Sequence, residues 1–259
     1  MSWRKRRWLR HVLTQAGAHL VLIVMGFLFS IPFVWLVSSS LKPSPQLFKV
    51  PPVWIPHPFV WSNYPKALTY IPYIQYLKNT LYICAFNVLA TLLSCSFVAY
   101  GFSRVQWPAR EAFFLVLIST LMLPYAVTMI PQFLLFKHLG WVGSYAPLTV
   151  PALTGSPFFI FLLRQFYMGI PLELSDAARI DGCNEYGIYA RIVLPLARPA
   201  LATVGLFSFM ANWNDFLGPL IYIKNQKSYT IALGLFGFLS TRRTEWALFM
   251  AAATVTIAP

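Results

Sequence analysis

The sequence predicts an all-α membrane protein: a bundle of six spanning helices, the sixth incomplete. Three observations predict it. Of the 259 residues, 58% are hydrophobic and only 10% charged, where soluble domains carry about 25% charge. The apolar residues gather in runs of about 20, the length that crosses roughly 30 Å of hydrocarbon while the backbone satisfies its own hydrogen bonds. The 20 Lys and Arg outnumber seven Asp and Glu, yet they sit at the ends of those runs. No basic face is left to neutralise phosphates, so nucleic-acid binding is not indicated.

The first 18 residues form a basic amino terminus, with Arg4, Lys5, Arg6, Arg7 and Arg10 directly before the first apolar run. Such a cluster is a topogenic signal that keeps the amino terminus in the cytoplasm. Residues 19–259 are then expected to form one transmembrane domain. Its first span, 19–41, has an apolar core from Ala18 to Val37, longer than the roughly 7–15 residues of a cleavable signal, so it is expected to stay attached.

Residues 42–78 then lie outside. Eight prolines there exclude a long helix. Interleaved Phe48, Trp54, Phe59, Trp61, Tyr64, Tyr70, Tyr73 and Tyr76 argue against disorder and for a packed cap at headgroup level. Further spans are expected over 79–103, 112–136, 147–168 and 199–223. Pro124, Pro131, Pro151, Pro157 and Pro219 fall inside them, and each removes a helical hydrogen bond and invites a kink. Cys84 and Cys95 would stand roughly 16 Å apart on one helix, too far for a disulfide. They read as small packing residues, and Cys183 as a reduced cytoplasmic thiol. A last apolar stretch starts near Trp246. Its 14 residues to Pro259 would climb only about 21 Å as a helix, so the natural protein is expected to be longer. Counted by loop, Lys and Arg number 11 inside against 9 outside, so orientation rests on the amino-terminal cluster.

No phosphate-binding loop, zinc-protease motif, nucleophile elbow or dinucleotide fingerprint occurs in the sequence. His11, His19, His57 and His138 show no metal-ligand spacing. The chain therefore reads as no enzyme, with neither metal nor cofactor bound. If transport needs ATP, another chain must hydrolyse it.

The acids are informative by their position. Glu173, Asp176, Asp181 and Glu185, four of the seven, fall within thirteen residues of the loop 169–198, which this topology places in the cytoplasm. Pro171 suits a first helical position, with Glu173 and Asp176 at the positive end of the helix dipole. Leu174, Ala177 and Ala178 would share a face of small side chains open to close approach. Gly182 should stop that helix, Asn184 cap the next, and Pro195 end it. A compact loop with no partner has the same local signals.

Taken in order, residues 171–199, PLELSDAARIDGCNEYGIYARIVLPLARP, resemble the cytoplasmic loop of binding-protein-dependent ABC transporter permeases. Asp176, Ala177 and Ala178 stand at the Glu-Ala-Ala positions of that signature, Asp181 and Gly182 at its Asp-Gly, and Leu194 and Pro195 at its Leu-Pro. SLKPSPQLF, VWIPHPF, Asn63-Tyr64, LMLPYAVTMIPQFLLF and FMANWNDFLGPLIY extend the likeness to the carbohydrate-uptake branch. Within it the chain is most similar to the smaller, six-span permease of maltose-type importers. The resemblance implies the type I importer fold in the bacterial cytoplasmic membrane. It also implies a second permease subunit, two cytoplasmic ATPases carrying ATP and Mg, and an extracytoplasmic solute-binding protein that delivers a sugar. Glu173, Asp176, Ala177, Ala178, Asp181, Gly182 and Pro195 would then belong to the ATPase-docking loop. Asp for Glu at 176 and Cys183 after Gly182 depart from the family pattern, as does the incomplete sixth span.

Asp215 is the one acid inside an apolar span, after Asn212, Trp213 and Asn214. An intramembrane carboxylate costs about 2.5–3.5 kcal/mol on insertion scales and rarely faces lipid. Either it makes a structural hydrogen bond inside the bundle, or Asn212, Asn214 and Asp215 line the translocation path, with Asn212 and Asp215 close on one helical face. In the outer segment 224–245, the resemblance suggests that Thr230, Gly234 and Gly237, with Arg242 and Arg243, reach the binding protein. A solvated loop is the other reading. The rival function, a stand-alone secondary transporter or channel, would need midplane ionisable groups, and Asp215 alone offers one.

Overall fold

The computed structural model describes residues 3–239 and 245–257. The side chains of the amino-terminal basic cluster lie outside the described residues, as do Arg242, Arg243 and the last two positions of the sixth apolar stretch. Every regular element described is a helix. Internal contacts divide the chain, expected as one domain, into two units: Met1–Pro72 with Leu235–Pro259, and Tyr73–Gly234.

In the first unit, α1 (Trp3–Ser40) is apolar on all sides from Leu20 to Val37 apart from Ser30. It leaves Leu20, Leu22, Ile23, Phe27 and Phe29 exposed, as suits a lipid-facing helix. Pro32 stays within it. Its carboxyl end is closed by the proline-rich segment that follows. Asn63, first residue of α2 (Asn63–Tyr70), donates through Nδ2 to the carbonyls of Ser40 at 2.8 Å and Lys42 at 3.1 Å. These are orphan acceptors that a helix end leaves open. Ser40 Oγ and Tyr64 Oη pair at 2.8 Å, and the buried Lys42 ammonium lies 3.7 Å above the Trp35 ring. The proline-rich segment is thus ordered, as its aromatics suggested, while Phe48, Trp54 and Trp61 remain largely exposed.

The second unit is built on α3 (Tyr73–Ser103), which starts six residues earlier than the apolar run suggested. After it come α4 (Arg110–Ser119) and α5 (Tyr125–His138), then α6 (Ala146–Thr149) continuing through a 3₁₀ stretch into α7 (Pro157–Met168). Next are α8 (Leu172–Ile180), α9 (Glu185–Ile188), α10 (Leu194–Leu196), α11 (Arg198–Trp213), α12 (Leu217–Tyr222) and α13 (Ile231–Phe236), the last of which crosses into the first unit. The first unit ends with α14 (Trp246–Ile257), which packs on α1 and α2. The core of the second unit forms where α3 meets α7 and α11, around Cys95, Ala99, Ile160, Leu163, Tyr167, and Val204. Small residues let these helices approach closely. Cys95 and Cys84 are buried and free, as expected, and Cys95 Sγ also accepts the Ser156 N–H at 3.2 Å beside the start of α7.

Three continuous helices are long and apolar enough to cross a membrane: Thr14–Ser40, Tyr73–Ser103 and Ala146–Met168. Two bent helix pairs, Arg110–Met122 with Tyr125–His138 and Glu185–Leu196 with Arg198–Trp213, have the apolar length of a broken span or a re-entrant loop. The stretch expected as a single span over 112–136 is α4 and α5, bent by 98°. Leu123 is extended, as a residue preceding proline prefers, and Pro124 opens the next helix. The stretch expected as a single span over 199–223 is divided into α11 and α12, separated at 214–216. α14 has 12 residues and rises only about 18 Å.

Candidate coupling and translocation sites

The loop 169–198 is a small folded body. Pro171, expected as the first helical residue, stands at the N-cap position, so α8 starts one residue later than expected, with Glu173 in its first turn. The helix ends in a Schellman arrangement: the Gly182 N–H donates to the Arg179 carbonyl at 3.0 Å, and the Cys183 N–H to that of Ala178 at 2.9 Å. Gly182 holds φ +83°, and a Cβ there would meet nothing within 4 Å. Asn184 caps α9 by accepting the Gly187 N–H at 2.8 Å, as its position foretold.

Two expectations for the loop are corrected. Ala178 does not share an open face with Leu174 and Ala177. It is buried together with Ser175 in the chain's own core, while Leu172, Leu174, Asp176, Ala177, Ile180 and Asp181 form the exposed ridge. Residues 175 and 178 are one turn apart, so they define the inward stripe. Pro195 does not end the helix either. A π turn over Tyr189–Val193 widens the backbone just ahead of it and accommodates the missing donor. The chain instead bends at Ala197, by 77° between 185–196 and 198–213.

Two of the loop's four acids, Asp176 and Glu185, are tied together through Arg179. Arg179 bonds Asp176 at 2.7 Å and Glu185 at 3.0 Å, and Tyr100 near the end of α3 donates to the other Glu185 oxygen at 2.6 Å. The bond to Glu185, opposed by a smaller effect of burial, holds the Arg179 pKa above its ordinary value. Ser96 Oγ pairs with Tyr189 Oη at 2.7 Å, and Phe97 stacks on Tyr186. Buried Arg104 donates to the carbonyls of Tyr167 and Ile170 at the close of α7. Arg164, 6% exposed, bonds both oxygens of Glu111 at 2.8 Å and the Phe102 carbonyl at 3.1 Å. Sequence reasoning missed all four of Tyr100, Arg104, Arg164 and Arg179. Only Arg179 carried a readable local signal, three residues after Asp176 on one helical face.

Toward the other end of the same unit, a cavity of about 420 Å³ opens between α5, α6 and α12, lined by Tyr125, Gln132, Phe136, Leu148, Asp215 and Tyr222 among others. Asp215 Oδ1 accepts the Gly218 N–H at 3.0 Å, so the carboxylate makes a structural hydrogen bond and also lines a cavity. Asn212 and Asn214 do not join it. Asn212 receives Asn87 Nδ2 and donates to the Ser208 carbonyl at 2.7 Å, and Asn214 bonds back to Met210 at 2.8 Å. The expected common face of Asn212 and Asp215 required a helix continuing past 214, and α11 has ended by then.

The segment after α12 is stapled to α3. Asn79 Nδ2 donates to the carbonyls of Lys227 and Tyr229, both at 2.9 Å, and the Ile231 N–H bonds Thr80 Oγ1 at 2.9 Å. Thr230 is 3% exposed, and Gly234 is buried where a Cβ would collide with the Tyr76 ring. These two serve internal packing instead of presenting themselves to a partner. Gly237 is partly exposed, and Lys224–Lys227 fully so.

Residues 93–259, which include the whole folded loop and the cavity-lining helices, match the family described as binding-protein-dependent transport system inner membrane component. The chain belongs to that family. This inner-membrane permease is 32% identical over 246 residues to the arabinooligosaccharides transport system permease protein AraQ of Halalkalibacterium halodurans, covering 92% of this chain and 88% of that one. It is 33% identical over 251 residues to the sn-glycerol-3-phosphate transport system permease protein UgpE of Yersinia pestis, covering 93% and 88%. In fold it matches a chain from the crystal structure of a bacterial ABC transporter involved in the import of the acidic polysaccharide alginate, with a TM-score of 0.81 at 20% identity, covering 99% of the permease and 94% of that chain. The fold is that of a type I ABC importer permease, and the matches favour an importer subunit over a stand-alone secondary transporter.

Proposed function

We propose that this permease forms half of the pore of an ATP-driven importer for a sugar or sugar-like solute. It would pair with a second permease, dock on one of two cytoplasmic ATPases that carry ATP and Mg, and receive solute from an extracytoplasmic binding protein. Its amino terminus would lie in the cytoplasm. One observation carries the reading: α8 exposes an apolar and acidic ridge through Leu172, Leu174, Asp176 and Ile180, while Ser175 and Ala178 anchor its other side. A ridge of this kind is what a partner groove would cover.

The links behind the ridge support a mechanical role. A displacement of α8 would pass through Arg179 and Glu185 to Tyr100 on α3, and through the buried Ile188 and Val193 to α11. Closure of the ATPases on ATP would favour one arrangement of these helices and their separation the other, which is alternating access by differential contacts. Contact with the binding protein would fall on the exposed Lys224–Lys227 in place of Thr230 and Gly234.

The test uses the complex co-purified with its ATPase and binding protein. Asp176→Lys, or one residue inserted after Gly182, is expected to lower ATPase association and ATP-dependent sugar uptake while the permease still reaches the membrane. Association and uptake at the unaltered level in both variants would refute the docking assignment.

A further inference from the structure

The cavity beside Asp215 has a chemistry that discriminates between solutes. Its volume of about 420 Å³ falls within the 300–1,000 Å³ common for small-molecule sites, which are mostly apolar with a few placed polar groups. Tyr125, Phe136 and Tyr222 offer aromatic surface, and Gln132 offers an amide. Asp215 is the only lining residue with a formal charge, and no basic side chain lines the cavity among the described residues. Its carboxylate is held in orientation by the Gly218 N–H. Glycine at 218 also keeps the carboxylate's place open, since a Cβ there would stand 2.5 Å from Asp215 Oδ2 and 3.0 Å from Leu148 Cδ2.

We propose that this cavity is a solute subsite for neutral, hydroxyl-rich molecules, and that Asp215 both binds their hydroxyl groups and excludes anionic solutes. The inference rests on the importer reading and adds the charge class of the cargo. A carboxylate accepts sugar hydroxyls through lone pairs that the Gly218 bond leaves free, and aromatic rings cover the C–H faces of a sugar ring. A solute bearing a carboxylate or phosphate would meet a fixed like charge with no cation beside it, in surroundings that screen poorly. Relatives whose names specify sn-glycerol-3-phosphate or the acidic polysaccharide alginate act on the opposite charge class.

The experiment is equilibrium binding of radiolabelled trisaccharides to the assembled transporter in lipid nanodiscs without its binding protein. The probes are neutral trisaccharides of pentose and of hexose units, and the trimeric uronic-acid fragment of alginate. A neutral trisaccharide is expected to bind wild type at least about tenfold more tightly than the uronate, and Asp215→Asn to narrow that ratio severalfold. Gln132→Glu, on α5 and outside the Gly218 bond, is expected to widen it, and decides the matter if Asp215→Asn fails to assemble. Equal binding of neutral and acidic probes, no binding of either neutral probe, or a ratio indifferent to these substitutions overturns the proposal. ATP-driven uptake of sugar that persists under any of those results leaves the importer reading standing, whereas loss of all ATP-driven uptake by the wild-type complex refutes that reading itself.

Discussion

Gly182 and Gly140 form a matched pair that separates folding from docking. Both close a helix in the left-handed conformation, at φ +83° and +70°, and at both a Cβ would meet nothing within 4 Å. Their caps also share one hydrogen-bond pattern: behind α5 the Gly140 N–H donates to Lys137 at 3.1 Å and the Trp141 N–H to Phe136 at 2.9 Å, as Gly182 and Cys183 do behind α8. Alanine at either site therefore carries only the conformational cost of a left-handed L-residue, roughly 1–2 kcal/mol, partly offset by lower entropy of the unfolded chain. Each single variant should lose about 1 kcal/mol, a fall in thermal midpoint of about 2–4 °C by the scaling for domains near this size. Only Gly182 borders the exposed α8 ridge, where a methyl group would intrude into a partner groove. Pull-down of the ATPase from detergent extracts, normalised to folded permease, should then drop severalfold for Gly182→Ala and stay near wild type for Gly140→Ala. Equal ATPase recovery with both variants would show that the α8 end is not buried by the motor, and the reasoning would fail.

Other predictions follow from the same contacts. Arg179→Ala removes two ion pairs whose partners are mostly solvated, each worth about 1 kcal/mol or less, so thermal stability should barely move while uptake per ATP hydrolysed declines; unchanged uptake per ATP would count against the Arg179–Glu185–Tyr100 path. Gly234→Ala forces a methyl group into the buried Tyr76 ring and should destabilise by about 1–3 kcal/mol, read as thermal aggregation of the purified permease, and a neutral result would mean that the segment after α12 can move aside. Glu111→Gln leaves the buried Arg164 guanidinium without its carboxylate, whereas Arg164→Met leaves only a largely exposed carboxylate that water can solvate, so the thermal midpoint should fall further for Glu111→Gln; the reverse order would contradict the burial asymmetry. Ala109 stands at φ +62°, and Ala109→Gly should raise stability by up to about 1 kcal/mol, measurable as a higher thermal midpoint.

Much of the loop 169–198 was legible because its signals are local. Gly182 as a stop and Asn184 as a cap depend on a few neighbouring residues, and the structure places both as the sequence suggested. The inward turn of Ala178 was not legible, because a face with small side chains suits a partner groove as well as the chain's own core. Deciding between them requires the position of α3 and α7, which no local pattern carries. Arg104 and Arg164 were missed for a related reason. They read as basic residues at span ends, and their acceptors, the carbonyls of Tyr167, Ile170 and Phe102, have no sequence signature at all.

The prolines show how tertiary context selects among equal local signals. Pro32, Pro131 and Pro195 all stay within helices, while Pro124 coincides with a right-angle break. At Pro195 the preceding π turn supplies the room that a regular helix denies. Pro219 has the largest consequence for function. In a continuous helix its ring would press on the carbonyl of residue 215 and leave that acceptor without a donor. The chain avoids this by ending α11 at Trp213 and restarting at Leu217, and the Asp215 carboxylate receives the Gly218 N–H of the new helix. A helical wheel drawn through 212–215 cannot anticipate that outcome, because it assumes a continuity that the chain lacks between Trp213 and Leu217. The same break turns Asp215 away from Asn212 and into the cavity, so the proline that looked like a minor kink near the end of a span determines which polar residue a solute would meet.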